Sequence, residues 1–276
     1  MLERKALIVE NKQVAPGMFW LELAAADIPA QAVPGQFIHV RVASTFDPLL
    51  RRPLSIAKRI VVDDDSPRLG IAYRVVGRGT QLLAEKRLGE QLDILGPLGN
   101  GFALAPLLDP DKPLYIVGGG MGFAPLIFLT QWLSEQRNGV RPTVCIGMDT
   151  ARNLICLDEF ANYGAAIFSA TDDGSHGFAG YVTTLFEHLL ARQVGKTQPA
   201  RILACGPMNM LHAVRALADT YALSGQVSVD EMMGCGIGAC LGCVIKVRDA
   251  GAAGFVYKRI CADGPVFDIR DICRED

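Results

Sequence analysis

The sequence has almost no net charge and no run of basic residues. Its 276 residues carry 27 Lys and Arg against 29 Asp and Glu, which gives a formal charge of -2 at pH 7. Proteins that bind nucleic acid or anionic lipid electrostatically need a basic surface patch, and this composition does not favour one. We therefore expect no nucleic-acid partner, and we expect small molecules or other proteins as partners instead.

Segments that could enter a membrane are equally scarce. The first residues, Met1–Lys5, lead into an alternating polar and apolar pattern, so we expect no signal peptide. Only the stretch Pro113–Ser134 is free of charge and about long enough to span a bilayer. A glycine-rich turn at 118–122 crowds its centre and favours a strand, a turn and a helix. We therefore predict a cytoplasmic protein without membrane insertion.

Side-chain arrangements that perform catalysis by themselves are missing from the sequence. No Ser-His-Asp set or nucleophile elbow can be assembled from it. The four histidines are scattered without the spacing of metal ligands, and we interpret all of them as structural or solvated. They are His39, His176, His188 and His212. We therefore expect no catalytic side chain, and we expect bound cofactors to supply the chemistry.

Cysteine, by contrast, is concentrated in one short segment. Four of the eight cysteines lie between residues 230 and 265, as Cys235, Cys240, Cys243 and Cys261. The first three form C-x4-C-x2-C and the fourth follows after a short excursion, which is the order of thiolates in plant-type 2Fe-2S sites. Glycines lie between them, so the backbone can wrap closely around a cluster and direct N–H groups to sulfur. The segment predicts a 2Fe-2S site with these four ligands.

Other roles for the cysteines remain open at this point. Zinc sites favour two well-separated C-x2-C pairs, and this segment lacks that symmetry, so zinc is the second interpretation. Disulfides are disfavoured because we expect a cytosolic chain, whose thiols are kept reduced. Cys145 and Cys156 lie in apolar settings typical of core residues, and Cys273 has no visible partner near it in the sequence.

Residues 1–106 carry short strand-like runs that are broken by turn residues. The runs are Ala6–Glu10, Met18–Leu23, Gln36–Val42, Leu54–Val61, Leu69–Val76 and Gln91–Leu95. The breakers between them are Pro16-Gly17, Pro34-Gly35, Asp63–Pro67 and Gly96-Pro97. Six strands at this spacing predict a small antiparallel β-barrel, and a helix over Gln81–Arg87 is expected to cover one end of it.

Residues 107–223 alternate strands with helices. The predicted strands are Leu114–Val117, Thr143–Gly147, Ala165–Ala170 and Arg201–Cys205. The predicted helices are Phe123–Gln136, Val182–Arg192 and Met208–Tyr221. This alternation predicts a doubly wound parallel sheet that binds ligands at the carboxyl ends of its strands. The proline-containing linker Ala105–Pro113 is the expected boundary with the barrel.

Residues 224–276 form the third predicted domain, which contains the cysteine segment. Val244–Val247 and Phe255–Arg259 can pair across a glycine turn, which would carry Cys261 back toward the other three thiols. The unit is too small for a large core, so we expect cluster binding and packing against the second domain to stabilise it. The predicted fold class is therefore multidomain β and α/β, with a barrel, a nucleotide-binding domain and a cluster domain in chain order.

Three motifs of the barrel region contain residues that could bind a flavin nucleotide. Arg51-Arg52-Pro53-Leu54-Ser55 begins a strand, and Tyr73-Arg74-Val75 and Gly77-Arg78-Gly79-Thr80 follow it. An Arg guanidinium can bind pyrophosphate through two hydrogen bonds, and Ser or Thr hydroxyls can bond phosphate or the ring. The alternative is that the two arginines are merely a solvated strand end. In this order the motifs resemble the flavin-binding barrel of the ferredoxin reductase superfamily, which implies FAD.

A glycine-rich turn in the second domain suits a dinucleotide. Gly118-Gly119-Gly120-Met121-Gly122 follows a strand and opens a helix, although it departs from G-x-G-x-x-G, and a turn that only lets strand and helix pack is the alternative. In the reductase superfamily such a unit docks the nicotinamide nucleotide, and Cys205-Gly206-Pro207 resembles the nicotinamide-side signature. Asp172, after another strand, would complete the cleft. Asp149 can accept from a ribose 2′-hydroxyl, which favours NAD over NADP.

The whole chain resembles the electron transfer subunits of NAD-linked bacterial dihydroorotate dehydrogenases. The resemblance is most specific in Glu231–Cys243 and Cys261–Phe267. It implies that the four cysteines of the C-terminal segment ligate the 2Fe-2S cluster. It also implies a set of FAD contacts in the barrel, namely Arg52, Pro53, Leu54, Ser55, Tyr73, Arg74, Val75, Gly79 and Thr80.

The resemblance further implies a relay of electrons. A nicotinamide exchanges two electrons as hydride and a 2Fe-2S cluster accepts one at a time, so a flavin is needed between them. A separate catalytic subunit with its own FMN would oxidise dihydroorotate in pyrimidine biosynthesis, and electrons would reach NAD, a diffusible co-substrate, within a heterotetramer. Related reductase subunits of hydrogenases, sulfite reductases and oxygenases share the pattern, so another partner is the alternative. A structural or regulatory zinc module is a remoter one.

Overall fold

The computed structural model describes residues 2–25, 27–61, 67–136, 138–192, 200–249, 251 and 254–273. Within this part of the chain, two seven-stranded sheets and one two-stranded hairpin form the architecture. The predicted turn Asp63–Pro67 lies outside the described residues except for Pro67. An antiparallel sheet, a mainly parallel α/β sheet and the cysteine segment follow one another along the chain, so the predicted fold class is confirmed.

Seven antiparallel strands form the first sheet. They are β1 (Leu2–Ala15), β2 (Met18–Ala24), β3 (Phe37–Arg41), β4 (Arg52–Ser55), β5 (Lys58–Ile60), β6 (Arg68–Arg74) and β7 (Gln91–Leu98). Their order is β4-β3-β7-β1-β2-β6-β5. Only Ile56 and Ala57 separate the two outermost strands, so the sheet must curl into a barrel-like shape that brings β4 near β5, although these two strands do not pair. The predicted single strand Leu54–Val61 was wrong, because the chain crosses here from β3 to β6: the N–H of Ala57 bonds the carbonyl of Gly70.

The alternation of side chains along β3 assigns its two faces. Ile38 and Val40 belong to the core inside the barrel, whereas Phe37 belongs to the core around the second sheet and the C-terminal segment. Successive side chains of a strand point to opposite faces, so His39 lies on the same face as Phe37. This histidine therefore faces the outside of the barrel wall and yet is fully buried.

The helix predicted at Gln81–Arg87 was wrong by three residues. It spans Arg78–Ala84, as helix α2, after the unpredicted short helix α1 (Ile28–Gln31). The hydroxyl of Thr80 accepts hydrogen bonds from the backbone N–H groups of Val76 (2.9 Å) and Gly77 (3.3 Å). N–H groups at the start of a helix have no carbonyl partner within it, and the Thr80 hydroxyl supplies a partner for two of these groups. The helix can therefore begin at Arg78, earlier than its apolar residues indicate.

Six parallel strands form most of the second sheet, and four helices belong to the same domain. The strands are β8 (Leu114–Gly119), β9 (Thr143–Met148), β10 (Ala166–Thr171), β11 (Phe178–Ala179), β12 (Arg201–Cys205) and β13 (Ser224–Ser228). The helices are α3 (Phe123–Glu135), α4 (Leu157–Asn162), α5 (Val182–Ala191) and α6 (Met208–Thr220). The strand order is β11-β10-β9-β8-β12-β13. From β8 the chain first adds strands on one side of the sheet and then, from β12, on the other side. This change of side leaves a crevice at the carboxyl ends of β8 and β12. The four predicted strands and three predicted helices are confirmed within a few residues.

The uncharged stretch 113–134 is part of this sheet. It forms β8, a 3-10 turn at Gly120–Gly122 and most of α3. Its apolar residues are buried in the core between the barrel and the parallel sheet, where Phe123, Leu126 and Ile127 pack with Trp20. Among the described residues, no helix combines the length and the apolar character needed to cross a bilayer.

The cysteine segment is attached to both sheets. Its regular elements are β14 (Val244–Arg248), β15 (Phe255–Arg259), α7 (Ile260–Asp263) and β16 (Val266–Asp268). Strands β14 and β15 form the predicted hairpin, and β16 adds to β13 as an antiparallel edge of the second sheet. On the barrel side, the N–H of Asn100 bonds the carbonyl of Gly264 at 2.6 Å, and its side-chain amide bonds Ala262 at 3.0 Å.

Gln131 of α3 joins the barrel to the second sheet. Its amide accepts from the N–H of Arg59 (3.0 Å) and donates to the carbonyl of Arg59 (2.7 Å), which completes the free edge of β5. The side chain is buried, so these bonds are shielded from water. Ion pairs from Lys58 to Glu159 (2.7 Å) and from Arg59 to Glu135 (2.7 Å) flank it.

Replacing Gln131 by Leu leaves the N–H and C=O of Arg59 without partners in a buried setting. We expect a loss of about 2 kcal/mol in the free energy of unfolding and a fall of roughly 4 to 8 °C in the melting temperature. Gln136→Leu is the matched control, because Gln136 ends the same helix and is exposed. Calorimetry of both variants decides; equal melting temperatures would show that the amide does not join the two sheets.

Candidate functional site

One cleft of about 760 Å³ lies where the barrel, the carboxyl ends of the parallel strands and the cysteine segment meet. It opens at the reversal point between β8 and β12, where α/β sheets bind their ligands. Its walls come from β4 and β6 of the barrel, from the turns after β8 and β12, and from residues 228–233. Both predicted nucleotide sites therefore share one cleft.

The barrel wall of the cleft carries most of the residues predicted to contact FAD. Those that line the cleft are Arg52, Pro53, Leu54, Ser55, Tyr73, Arg74 and Thr80. Val75 and Gly79 do not line it. Gly79 serves the site indirectly, since a Cβ there would collide with the guanidinium of Arg52. The absence of a side chain at Gly79 thus leaves room for Arg52 against the first turn of α2.

Tyr73 contributes to this wall in a fixed orientation. Its ring stacks on Phe19 with centroids 5.4 Å apart, and its hydroxyl donates to Oδ1 of Asn11 at 2.9 Å. Burial raises the pKa of the phenol, although the bond to Asn11 opposes the shift. The hydroxyl is therefore held neutral and is already bonded within the barrel. The phenol ring, rather than the hydroxyl, is therefore the part of Tyr73 that is free to contact a ligand.

The predicted nicotinamide side lies opposite the barrel wall. Gly119, Met121, Gly122, Cys205, Gly206 and Pro207 line the cleft, whereas Gly118 and Gly120 do not. A Cβ at Gly122 would collide with the carbonyl of Cys205, and one at Gly119 with the sulfur of Met210. These glycines let the two turns after β8 and β12 pack against each other, so the packing interpretation and the nucleotide interpretation both apply here.

Cys205 presents a neutral thiol to the cleft. Burial, followed by the nearby Asp230 carboxyl, raises the pKa of the thiol to about 12, against the effect of a bond with Ser228. Burial also raises the pKa of Asp230. A thiol that stays protonated at pH 7 packs against a ring as a small apolar group rather than as an anion.

Sequence order gave no indication of several residues that line the cleft. They are Phe37, Leu50, Ala72, Val76, Ala124, Pro125, Met208, Ser228, Val229, Asp230, Glu231, Met232, Met233 and Pro265. Arg51, the first residue of the flavin motif, lines the cleft as well. The lining residues from 228 onward belong to the C-terminal segment, which reaches the cleft because β16 pairs with β13. Proximity of that kind depends on tertiary pairing, and only the whole fold reveals it.

Two carboxylates mark the far end of the nucleotide side. Asp172 follows β10 and Asp149 follows β9, so both lie at the same edge of the sheet, although neither lines the cleft. Burial and then the charges of Asp149 and Asp173 raise the pKa of Asp172. Asp149 accepts from the N–H of Thr150 (2.9 Å) and from the amide of Asn153 (2.7 Å). This edge of the sheet is thus negatively charged.

The four predicted cluster ligands lie in two close pairs. The thiols of Cys235 and Cys240 interact with each other, as do those of Cys243 and Cys261. A 2Fe-2S cluster needs two thiolates on each of its two irons, and two pairs satisfy this. Four thiols in two interacting pairs match the donor set of a 2Fe-2S cluster.

Backbone N–H groups point at the sulfur atoms. The sulfur of Cys235 accepts from Ile237 (3.5 Å), Ala239 (3.3 Å) and Cys240 (3.4 Å), and the sulfur of Cys261 accepts from Gly238 at 3.1 Å. Desolvation opposes ionisation of Cys235, but these donors outweigh it and lower the pKa of the thiol to about 6. Such donors stabilise anionic sulfur, as an iron–sulfur cluster requires.

The cysteine loop has one covered side and one open side. Cys243 and Cys261 are buried, whereas Cys240 is exposed. Arg259 braces the covered side, because its guanidinium donates to the carbonyl of Gly238 (3.2 Å) and to the carboxylate of Asp263 (2.9 Å). A cluster in this loop would thus present its Cys240 edge to the surface.

His39 lies against the covered side of the loop. A Cβ at Gly236 would lie 2.5 Å from Nδ1 of the imidazole, so the loop backbone rests directly on the ring. Burial and then the charge of Arg51 lower the pKa of His39 to about 4, although backbone acceptors of Cys235 and Arg51 oppose the shift. The ring is therefore neutral at pH 7. The interpretation of this histidine as structural or solvated missed its position beside the cysteine loop.

Family models and relatives match most of the chain. Residues 230–273 match the iron-sulfur cluster binding domain of dihydroorotate dehydrogenase B, and residues 116–216 match the oxidoreductase NAD-binding domain. A dihydroorotate dehydrogenase B (NAD(+)) electron transfer subunit from Desulforamulus reducens is 41% identical over 95% of each chain. The same subunit from Geobacillus kaustophilus is 41% identical over 97% of each chain.

The chain belongs to this family of electron transfer subunits. Members carry electrons between NAD and the catalytic subunit of a dihydroorotate dehydrogenase, so the chain is an NAD-linked flavin and iron–sulfur oxidoreductase subunit. The predicted resemblance, function and cofactors (FAD, a 2Fe-2S cluster and NAD) are thereby confirmed.

Solved structures agree with this family assignment. The structure of an NADH-dependent reduced ferredoxin-NADP oxidoreductase, studied for flavin-based electron bifurcation, superposes with a TM-score of 0.80 and is 26% identical. The match covers 97% of this chain and 89% of that one. The ferredoxin reductase of carbazole 1,9a-dioxygenase superposes with a TM-score of 0.64 at 19% identity, over 80% of this chain and 66% of that one, which shows the shared fold alone.

Arg52→Ala tests the predicted flavin wall. A charged hydrogen bond contributes about 1.5–3 kcal/mol, so we expect the FAD dissociation constant to rise roughly tenfold or more. Arg41→Ala is the control, because this exposed arginine of β3 bonds the carbonyl of Ala43 and does not line the cleft. Fluorescence of released FAD measures both. Equal affinities in the two variants would remove Arg52 from the site.

Proposed function

We propose that this chain is the NAD-side half of a dihydroorotate dehydrogenase complex and that it holds three redox sites in a row. Cys235, Cys240, Cys243 and Cys261 ligate the cluster, the barrel wall of the cleft binds FAD, and the turns after β8 and β12 receive NAD. The domains are 1–106 for FAD, 107–223 for NAD and 224–276 for the cluster. The single observation that carries the proposal is that one cleft is lined by all three parts of the chain.

Each part has a separate task in this arrangement. The bound flavin supplies the conversion between one-electron and two-electron chemistry. Arg52 and the first turn of α2 at Thr80 hold its pyrophosphate, Ser55 bonds near its ring, and the neutral thiol of Cys205 packs on the nicotinamide side. Asp172, Gly118 and Gly120 support the nucleotide from the strand ends without lining the cleft. The acidic edge at Asp149 disfavours the 2′-phosphate of NADP, which supports NAD as the co-substrate.

The partner we propose is a catalytic subunit that contains FMN, in a heterotetramer with two copies of each chain. A surface beside the exposed Cys240 suits such an interface. We define it as the hairpin face: Lys246, Phe255 and Tyr257, which lie on one side of the paired strands β14 and β15. Ile237 and Leu241, close to Cys240 in the sequence, are exposed as well. Leu241 is 61% exposed and Tyr257 is 60% exposed. Phe255 contacts the Tyr257 ring edge to face and lies under the ammonium of Lys246 at 5.1 Å.

This face has the composition of a protein interface. Aromatic residues are enriched at interface cores, and adjacent exposed apolar residues mark contact sites. The face lies within the same segment as Cys240, so a partner that covers it would approach the open edge of the cluster. We also propose a cytoplasmic location for the complex, because the thiols that ligate the cluster must remain reduced and the cytosol keeps thiols reduced.

Tyr257→Glu tests the hairpin face. A buried, unpaired carboxylate is costly, so we expect the dissociation constant for the co-expressed catalytic subunit to rise roughly tenfold or more. Tyr181→Glu is the matched control, since Tyr181 is 68% exposed and lies at the start of α5. Native mass spectrometry gives the stoichiometry and the affinity. An unchanged heterotetramer in the Tyr257 variant would place the partner elsewhere.

Cys240→Ser tests the order of the three sites. We expect the 2Fe-2S signal in electron paramagnetic resonance to be lost or altered, and transfer to the catalytic subunit to fall by roughly a hundredfold. NADH oxidation with ferricyanide should persist, because it needs only the flavin cleft. Cys273→Ser, in the same segment, is the control and should change neither the resonance signal nor the transfer to the catalytic subunit. Loss of both activities in a variant that still binds FAD would contradict separate flavin and cluster roles.

A second candidate has one observation in its favour. The matched NADH-dependent ferredoxin-NADP oxidoreductase covers nearly the whole chain at a TM-score of 0.80. A reductase subunit of a different complex, such as a hydrogenase, sulfite reductase or oxygenase, would use the same cleft and cluster with another partner. Co-purification of one of those enzymes in place of a dihydroorotate dehydrogenase would favour it.

A further inference from the structure

His39 is a buried polar side chain to which the proposed relay assigns no role. It is 0% exposed, and within the described part of the chain its ring nitrogens reach only poorly aligned backbone acceptors, those of Cys235 and Arg51. A buried donor or acceptor without a good partner costs about 1–3 kcal/mol. An apolar side chain of similar volume would avoid that cost, so the imidazole needs a physical explanation.

The position of His39 connects two of the proposed cofactor sites. In the barrel it pairs with Pro53 of β4, the strand that lines the flavin wall. On its other side the ring meets the loop backbone at Gly236, next to Cys235. One imidazole thus separates the strand of the flavin site from the backbone of the first cluster ligand.

We propose that His39 is a positioning residue for the iron–sulfur site, which seats the Cys235–Gly236 backbone against the barrel strand that carries Pro53. The proposal rests on the role of Cys235 as a cluster ligand, proposed above. The imidazole provides a flat, rigid surface and a nitrogen within reach of the loop backbone, both of which an aliphatic side chain lacks.

The contact between the His39 ring and the loop backbone matters because the loop has little rigidity of its own. Gly236 and Gly238 adopt φ of 71° and 82°, and four of the nine residues from Gly234 to Gly242 are glycine. Three N–H groups converge on the sulfur of Cys235, and their direction depends on the local backbone. Such donors stabilise the extra negative charge of a reduced cluster. Weakening the contact between His39 and the Cys235–Gly236 backbone should therefore lower the reduction potential of the cluster.

The test compares His39→Leu, His39→Asn and Val40→Ala in the full-length protein loaded with FAD and cluster. His39→Leu removes both nitrogens, whereas Asn keeps a polar group near the position of Nδ1. Val40 is the control, because it faces the barrel core on the opposite side of β3. The measurement is the midpoint potential and the g values of the cluster, from a redox titration followed by electron paramagnetic resonance, with calorimetry on the same samples.

We expect His39→Leu to shift the one-electron reduction equilibrium of the cluster roughly tenfold toward the oxidised form, or about 59 mV. His39→Asn should remain near the wild-type value, and Val40→Ala should lower the melting temperature without moving the potential. An unchanged potential and unchanged g values in His39→Leu would overturn the proposal. An equal shift in Val40→Ala would also overturn it, since general destabilisation would then be the cause.

A second variant covers the case in which His39→Leu retains FAD but no cluster. Gly236→Ala places a methyl group 2.5 Å from Nδ1 and pushes the loop off its seat, so the potential should fall in that variant as well. No shift in Gly236→Ala would contradict the proposal. Cys235→Ser separates this test from the ligand assignment: an unaltered cluster signal there would refute Cys235 as a ligand, independently of the histidine.

Discussion

The antiparallel pairing of β16 with β13 is the constraint that places the cysteine segment. Strand β13 ends at Ser228, and the chain returns to it at Val266. The N–H of Val229 bonds the carbonyl of Pro265 at 2.9 Å, which closes the base of this excursion. Residues 230–264 therefore leave and rejoin the same sheet edge. Both ends of the cluster loop are fixed beside the nucleotide cleft by ordinary strand hydrogen bonds.

The barrel and the parallel sheet form the rigid frame against which that loop lies. A shared core with Trp20, Phe123 and Leu126 buries the surface between them, and Gln131 completes the free edge of β5 with two hydrogen bonds. The cleft between the two sheets is thus shaped by packing before any nucleotide binds. A preformed cleft fixes the relative placement of two cofactors, and a relay of electrons depends on that placement.

Local sequence patterns predicted most of the strands and helices. They did not predict residue positions that depend on pairing between strands distant in the sequence. The alternation of strands with helices predicted the parallel sheet. The cysteine spacing predicted four ligands of one cluster, and the fold brings Cys235 to Cys240 and Cys243 to Cys261. The helix at Arg78–Ala84 was misplaced because a side-chain cap at Thr80, not apolar periodicity, sets its start. Met232, Met233 and His39 were missed because their positions follow from strands that are distant in the sequence.

The exposed edge of the cysteine loop has a consequence for how the protein is made. Cys240 lies at the surface while Cys243 and Cys261 are enclosed. Exposed thiols and the clusters they hold are open to attack by dissolved oxygen and peroxide. In the proposed complex, the interval between synthesis of this chain and burial of that edge by the catalytic subunit is therefore a period in which the cluster can be oxidised. Balanced production of the two subunits shortens it.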